Sequence, residues 1–504
     1  MSVIKRSAIS LAANVTKAII SFATGILIAR GLGPEEYGVF SFLLASLTAL
    51  RYLLDMGTSN AFFSFISKKN RSRSFFYYYF SWVFTQFIIS ILFIAFIAPD
   101  DWVQRIWEGE SRERVIIAFV AVFLQHQVWN MVGQIGESQR FTVRVQVINI
   151  AISIMHLIMV ICLFWLDVIT VEFIYYIIII EILVATVVAK LTLPIEYTHE
   201  QVEPKTLFNE YWVYCLPLIP FGFLAMIMGF FDVWLLQHYG GAVEQAYYSV
   251  AKQFSSISLI ATSSILRILW KEIAEANEQG NSDRMQSLYE KTNHILFMFG
   301  VVISCFLIPW TNEIILFTLG DSYSSGAFVM GLMFLYPIHQ SLGQVNATMF
   351  LALELTRPYV VISMFSGIFS LLVVYFLLAP NDAAVPGLGL ASIGLAFKMV
   401  VIQFVSVNFA IWWLSQHQGW KFSMVYQFIS LGLFLLIGFG AYHAAYLLTG
   451  GEMPFLFTAT LSGVMYMLLT GTAFYSMPWL LGMGHDEMKD YVRKFINKTI
   501  NIVK

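Results

Sequence analysis

The sequence predicts an all-α polytopic membrane protein of about 14 transmembrane helices, and three observations carry that reading. Hydrophobic residues make up 58% of the chain and charged residues 12%, a balance far from that of a soluble domain. The apolar residues fall in runs long enough to cross a hydrocarbon core of about 30 Å, which takes roughly 20 helical residues. Within those runs Val, Ile, Leu, Phe and Ala continue all round the helix instead of alternating, which excludes the strands of an outer-membrane barrel.

Taken in order, the windows lie at 8–30, 37–63, 75–98, 115–136, 145–166, 169–190, 210–237, 243–267, 292–312, 326–352, 359–379, 386–413, 423–448 and 454–476. The connections between them alternate in charge. Lys5 and Arg6 precede the first window, and the second connection carries Lys68, Lys69, Arg71 and Arg73. Later even connections carry Arg140, Arg144, Lys190, Lys205, Arg267, Lys271, Arg284, Lys291, Arg357 and Lys421, and the tail adds Lys489, Arg493, Lys494, Lys498 and Lys504. That places about 21 cations on one side against Arg30, Arg105, Arg112 and Arg114 on the other. The bias predicts that both termini are cytoplasmic. A net charge of −2, with the basic residues spread over one membrane face, gives no basis for nucleic-acid binding.

The longest polar connections, 191–209 and 268–291, are both on the basic side, while Gly240 to Val243 and Gly450 to Met453 are very short. No external catalytic domain fits. Residues 270–293 read as a helix–turn–helix broken at Gly280, and Glu487 to Lys504 as an interfacial amphipathic helix or, alternatively, a plain solvated tail. Cys162, Cys215 and Cys305 lie inside windows without metal spacing and read as small core hydrophobes. His126, His156, His294, His339 and His443 are scattered over separate windows and read as satisfied buried polar groups rather than ligands. No phosphate loop, zinc-protease helix or nucleophile elbow occurs, so neither an enzyme, a cofactor nor a metal site is expected.

The two halves echo each other. Glu36 to Ser41 resembles Glu244 to Ser249 at a shift of 208, and Glu137 to Arg140 resembles Glu354 to Arg357 at a shift of 217. Both echoes fall at the same place in a six-span unit. The expected organisation is an N-lobe at 1–200, a C-lobe at 201–415, two further spans at 416–480 and a cytoplasmic tail at 481–504. Lobes inserted the same way up imply a pseudo-two-fold along the membrane normal, with a substrate path between them.

The run Ile28 to Gly38 (IARGLGPEEYG), followed by Asp55 to Ala61 (DMGTSNA), resembles the start of the polysaccharide-repeat, Wzx-like flippases of the multidrug/oligosaccharidyl-lipid/polysaccharide exporter superfamily. Asp232 with Tyr247 to Lys252 (YYSVAK), Leu319 to Tyr323 (LGDSY) and Pro386 to Ala391 (PGLGLA) are similar to that family's later segments. In the second echo Ala246 stands where the family usually has Gly. The resemblance implies a V-shaped, two-lobed transporter of the bacterial inner membrane. It would carry an undecaprenyl-diphosphate-linked oligosaccharide repeat unit from the cytoplasmic to the periplasmic leaflet, for polymerase or ligase partners acting outside.

Charges inside the windows point to mechanism independently. Lys17, Arg51, Lys252 and Lys398, with Asp55, Glu181 and Asp232, all lie within spans. Each ionised Lys, Arg or Asp at a helix centre costs roughly 2.5–3.5 kcal/mol if it faces lipid, so these side chains should face one another or water. One reading is structural: Arg51 can pair with Asp55 four residues on, Asp232 with Lys252, and Glu181 with another cation. The other is a cationic cavity in which Lys17, Arg51, Lys252 and Lys398 hold a diphosphate, with Asp55, Glu181 or Asp232 serving ion coupling. Trp129, Asn130, Gln134, Asn149, Gln340, Gln344, Asn346 and Asn408 are sugar-contact candidates, with interhelical hydrogen bonds as the alternative. The aromatic run Phe75 to Phe80 reads as lipid-facing or interfacial, and a groove beside spans thirteen and fourteen is expected to hold a lipid tail. The rival readings are a multidrug/cation antiporter of the same superfamily, which would want an acidic or apolar cavity, and a lipid II flippase. From another class, a membrane-embedded glycan polymerase would want a large external loop.

Overall fold

The computed structural model describes residues 3–490, apart from 196, 199–202, 260–268, 270–271, 274, 421–422 and 451–452, together with 493–494. Among the described residues the regular structure is helical, with one isolated bridge between Ser72 and Thr198. Among the described residues eleven helical stretches are long and apolar enough to cross a membrane, as expected of a multi-pass membrane protein. The difference from fourteen arises at three places. Ala12–Asp55 and Pro204–Leu259 each run two windows into one helical stretch. The window at 326–352 is divided into Ala327–Met333 and Tyr336–Ala352, each too short to count alone.

The two fused stretches are kinked at single glycines, Gly33 (φ 73°, ψ 172°) and Gly241 (φ 80°, ψ −179°). That backbone region is essentially closed to residues with a Cβ. The two breaks have the same conformation and are separated by the 208-residue shift of the first echo. The second echo needs its register corrected. Turns with the same three backbone bonds close at Gln139, Arg140 and Phe141 and at Leu353, Glu354 and Leu355, each with a positive φ at the middle residue (65° and 58°). Arg140 therefore corresponds to Glu354, a shift of 214 rather than 217. The helices that follow start at Thr142 and Thr356, in the same register. The Glu and Arg matches at 217 are coincidences within polar turns.

Contacts divide the chain into two compact units, Met1–Ser249 with Val374–Ser392, and Val250–Val373 with Ile393–Lys504. This is a division by contact, a different criterion from the repeat. The first unit holds α1 (Val3–Asp55), α2 (Thr58–Lys68), α3 (Arg73–Leu92), α4 (Asp100–Ile106), α5 (Arg112–Phe123), α6 (Trp129–Ser138), α7 (Thr142–Trp165), α8 (Val171–Thr192), α9 (Pro204–Cys215) and most of α10 (Ile219–Ser255). Its centre is α1 packed on α5, α7 and α8, with the buried Tyr175 hydroxyl donating to the Phe40 carbonyl at 2.9 Å. α1 and α10 approach so closely at Gly38 that a Cβ there would lie 1.8 Å from the Ala242 carbonyl oxygen.

On the basic side of this unit, Phe75, Phe76 and Tyr79 are buried against Phe62, Phe65 and Tyr211, with Phe62 stacked on Tyr79 at 4.0 Å. This corrects the expectation for Phe75 to Phe80: only Tyr77, Tyr78 and Phe80 are exposed. The cluster also clasps Arg71, which pairs with both oxygens of Glu210 at 2.7 and 3.1 Å. On the opposite side, Arg112 donates to the carbonyls of Ile94, Ala95 and Ala98 at a helix end that lacks its own partners. Arg114 gathers Glu110, Glu172 and Glu36 at 3.0, 2.6 and 3.8 Å.

The second unit holds α11 (Ser282–Leu307), α12 (Thr311–Thr318), α13 (Ala327–Met333), α14 (Tyr336–Ala352), most of α15 (Thr356–Leu378), α16 (Ala391–Gln418), α17 (Val425–Thr449) and α18 (Phe455–Ser476). Its core joins Phe297, Val301 and Cys305 of α11 to Ile338, Leu342, Phe434 and Tyr466. Gly438 permits the contact of α17 with α11, since a Cβ there would lie 2.2 Å from the Cys305 carbonyl oxygen. Cys162, expected in the core, is exposed, while Cys215 and Cys305 are buried. A turn at Gly280 (φ 64°) precedes α11, as expected, although parts of 270–293 lie outside the described residues. So does most of the expected amphipathic tail.

Candidate functional site

The kink at Gly33 organises the site. Lys17 lies sixteen residues before it and Arg51 eighteen after it, about 24 and 27 Å along the two halves of α1, so the two cations sit at similar distances from the break. A third element comes from between α5 and α6, where the backbone widens into a π-helical turn over Leu124–Val128. Such bulges release carbonyls from the helical ladder and recur at functional sites. The carbonyl of His126, at the centre of this turn, accepts Arg51 Nη1 at 3.3 Å, and its imidazole lies within electrostatic range of both Arg51 and Lys17.

Arg51 is half-buried beside the Tyr52 ring at 5.4 Å, and its Nε has no hydrogen-bond partner. Lys17 is exposed on α1. The guanidinium fork therefore keeps a donor free next to a second cation and an imidazole, a set suited to a multiply charged phosphate. His126 was not among the residues the sequence singles out for this role. The one signal that could have found it, the π-helical turn, is not readable from residue types.

The acids occupy different settings. Arg51 and Asp55 do not form the expected i,i+4 pair. α1 ends at Met56 and Gly57 with positive φ, and Asp55 instead accepts from the Ser59 amide at 2.9 Å and the Thr58 hydroxyl at 3.4 Å, holding the first turn of α2. Glu181 is buried on α8, 2.9 Å from His156 Nδ1 on α7. Asp232 is half-buried on α10, Lys252 exposed near its end, and Lys398 buried on α16. Lys17, Arg51, Asp55, Glu181 and Asp232 belong to the first unit, and Lys252 and Lys398 to the second.

Several sugar-contact candidates instead tie helices together. Trp129 Nε1 donates to Asn149 at 2.8 Å, Asn346 bridges the Tyr289 hydroxyl and the Val407 carbonyl, and Asn408 exchanges hydrogen bonds with Gln427, which also meets His339. Gln340 accepts from Tyr336 on its own helix, and Asn130 is exposed. A groove of about 650 Å³ lies between Phe306 of α11 and the face of α18 formed by Leu456, Thr460, Gly463, Val464, Met467 and neighbours. Among the described residues no cluster of three His, Cys, Asp or Glu side chains could hold a metal ion.

Residues 3–268 match the family described as polysaccharide biosynthesis protein. The chain belongs to that family. A search among curated proteins finds no match. Among solved structures, the chain is similar to the lipid II flippase MurJ in an inward closed conformation, at 14% identity, covering 92% of this chain and 98% of that one with a TM-score of 0.66. It is also similar to an inward-facing multidrug resistance MATE family transporter of the MOP superfamily, at 15% identity and TM-score 0.61, covering 79% and 95%. A MOP superfamily transporter from Pyrococcus furiosus matches at 14% identity and TM-score 0.53, covering 82% and 95%. At these identities the likeness is one of fold, and it agrees with the superfamily read from the sequence motifs.

Proposed function

We propose that this member of the polysaccharide biosynthesis family is a flippase for an undecaprenyl-diphosphate-linked oligosaccharide repeat unit, working by alternating access in the bacterial inner membrane. The observation that carries the reading is the juxtaposition of Lys17, Arg51 and His126 around a π-helical turn within the membrane-spanning part of a chain from a glycan-building family. In this reading the face with the basic connections is cytoplasmic, with both termini on it. The diphosphate is held by Lys17, Arg51, Lys252 or Lys398, the prenyl tail stays in hydrocarbon, and the α18 groove is the place on the second unit suited to such a tail. Asp55, Glu181 or Asp232 would couple transport to an ion gradient, and a glycan polymerase or ligase would take the product. The cations favour this substrate over the lipophilic cations of a multidrug antiporter.

The test is translocation of a fluorescent undecaprenyl-diphosphate oligosaccharide in proteoliposomes, comparing wild type with Lys17→Ala, Arg51→Ala and Lys398→Ala. Loss of flipping in well-folded variants is the expected result. Flipping of lipid II in place of the oligosaccharide moves the chain to that substrate, and uptake of organic cations with no flipping overturns the proposal. Translocation indifferent to a collapsed ion gradient removes the coupling part alone.

A further inference from the structure

We infer that α7 and α8 of the first unit hold one anionic phospholipid of the leaflet on the basic side, with an acyl chain in a groove between them and the phosphate at Arg144. This site is separate from the diphosphate site and does not rest on it. The two helices pack together yet leave a groove of about 610 Å³, lined by Val147, Ala151 and Met155 of α7 and by Val184, Ala185 and Val188 of α8. That volume lies within the range of small-molecule sites, about 300–1,000 Å³. Alanine at 151 and 185 leaves room that a larger side chain would occupy. The length selects a lipid of one leaflet. The walls run from Arg144 to Met155 and from Thr192 back to Glu181, eleven residues or about 16 Å each. Half of a hydrocarbon core of about 30 Å is about 15 Å. The groove therefore starts at the basic face and ends near mid-membrane, where Glu181 is engaged by His156 at 2.9 Å. An undecaprenyl tail is far longer than one leaflet and would overrun it, so the acyl chain of a bilayer phospholipid is the better fit.

The mouth of the groove selects charge. Arg144 is exposed there, with Nη1 donating to the Thr192 carbonyl at 2.8 Å and the guanidinium 5.0 Å from the centre of the Phe141 ring. These two contacts set its position and leave further N–H donors of the fork for phosphate oxygens. Among the described residues no carboxylate forms an ion pair with it. Arg140 stands four residues before Arg144, and Lys190 two before Thr192, both exposed. Glu137 is the acid of the same turns, so the mouth is cationic on balance. Basic residues at the cytoplasmic end of spans attract anionic headgroups. A zwitterionic lipid brings the same chain without the net charge and loses that attraction.

The experiment uses the purified, delipidated full chain in detergent, titrated with phosphatidylglycerol and with phosphatidylcholine of the same acyl chains. Native mass spectrometry resolves the first bound lipid and gives its Kd. The wild type should bind the first phosphatidylglycerol about fivefold or more tightly than phosphatidylcholine, the scale of one surface cation. Arg144→Gln should abolish that preference, and Ala151→Phe, which fills the groove, should weaken the first binding of both lipids. Equal affinity of the wild type for the two lipids, a preference kept in Arg144→Gln, or first binding unaffected by Ala151→Phe overturns the inference. Displacement of the bound phosphatidylglycerol by a lower concentration of undecaprenyl phosphate assigns the groove to a prenyl tail and overturns it as well. Size-exclusion profiles matching wild type establish that both variants are folded. None of these outcomes bears on Lys17 or Arg51.

Discussion

Replacing Glu210 by alanine should destabilise the protein more than replacing Arg71 by methionine, although the two residues form one ion pair. Arg71 is 8% exposed and Glu210 35% exposed, so the members of the pair have unequal access to water. Removing Glu210 leaves a nearly desolvated guanidinium with the Phe65 carbonyl at 3.3 Å and the rings of Phe65 and Phe75 at 5.2 and 4.9 Å. A fully buried charge that loses its partner costs about 3–5 kcal/mol, and the residual cation–π contacts return about 0.5–2 of that. With discount for the partly open rim, the expected loss is about 2–3 kcal/mol for Glu210→Ala. Methionine at 71 keeps an apolar stem between the two rings and leaves Glu210 free to turn to water, which should cost only about 1 kcal/mol, the scale of an exposed pair. The double variant should resemble Arg71→Met alone, giving a coupling of about 2–3 kcal/mol in a double-mutant cycle. SDS titration in mixed micelles, followed by tryptophan fluorescence, reads all four proteins. Equal losses that simply add would refute the reasoning, because they would mean that Arg71 is as well hydrated as its partner.

Three other outcomes can be checked in the same assay. Gly38→Val should cost about 3 kcal/mol or more and lower the yield of folded protein, because its side chain meets the rigid backbone carbonyl of Ala242 and not a movable side chain; wild-type stability would show that α1 and α10 can separate freely. Asn346→Leu should cost about 1–3 kcal/mol by orphaning the Tyr289 hydroxyl, and Tyr289→Phe in that background should recover part of the loss. The Glu110 carboxyl is pushed above the ordinary range by burial, against the lowering effect of Arg114. A raised acid holds its proton longer in the folded state, so its contribution is fully present below the unfolded pKa, about 4.3, and declines as pH rises from there through the folded value. Glu110→Gln should flatten that decline, and an unchanged slope of stability against pH would remove Glu110 as its source.

Much of the architecture was legible because membranes constrain sequence so strongly. Lys17 and Arg51 stood out by the cost of placing cations in hydrocarbon, and the breaks at Gly33 and Gly241 fall on the echo that Glu36 and Glu244 mark. What escaped the sequence depended on distant partners or on backbone detail. Phe75 and Phe76 sit in an aromatic run that could equally face lipid, and only Phe62, Phe65 and Tyr211 decide that they are buried. The spacing of Arg51 and Asp55 suited a helical pair, but the helix ends at Met56 and the carboxylate turns to the amide of Ser59. His126 gained its place from a local change of helical hydrogen bonding that no residue type announces.

The glycine breaks also bear on how the protein is made. With a kink of one residue at Gly33 there is almost no loop to thread, so the two halves of α1 should leave the translocon together as a hairpin instead of inserting one after the other. Lys17 and Arg51 would then enter the bilayer on a shared element, each a liability to a lone helix, and the burden of integrating them would fall on the assembly of that hairpin with α5 and α7.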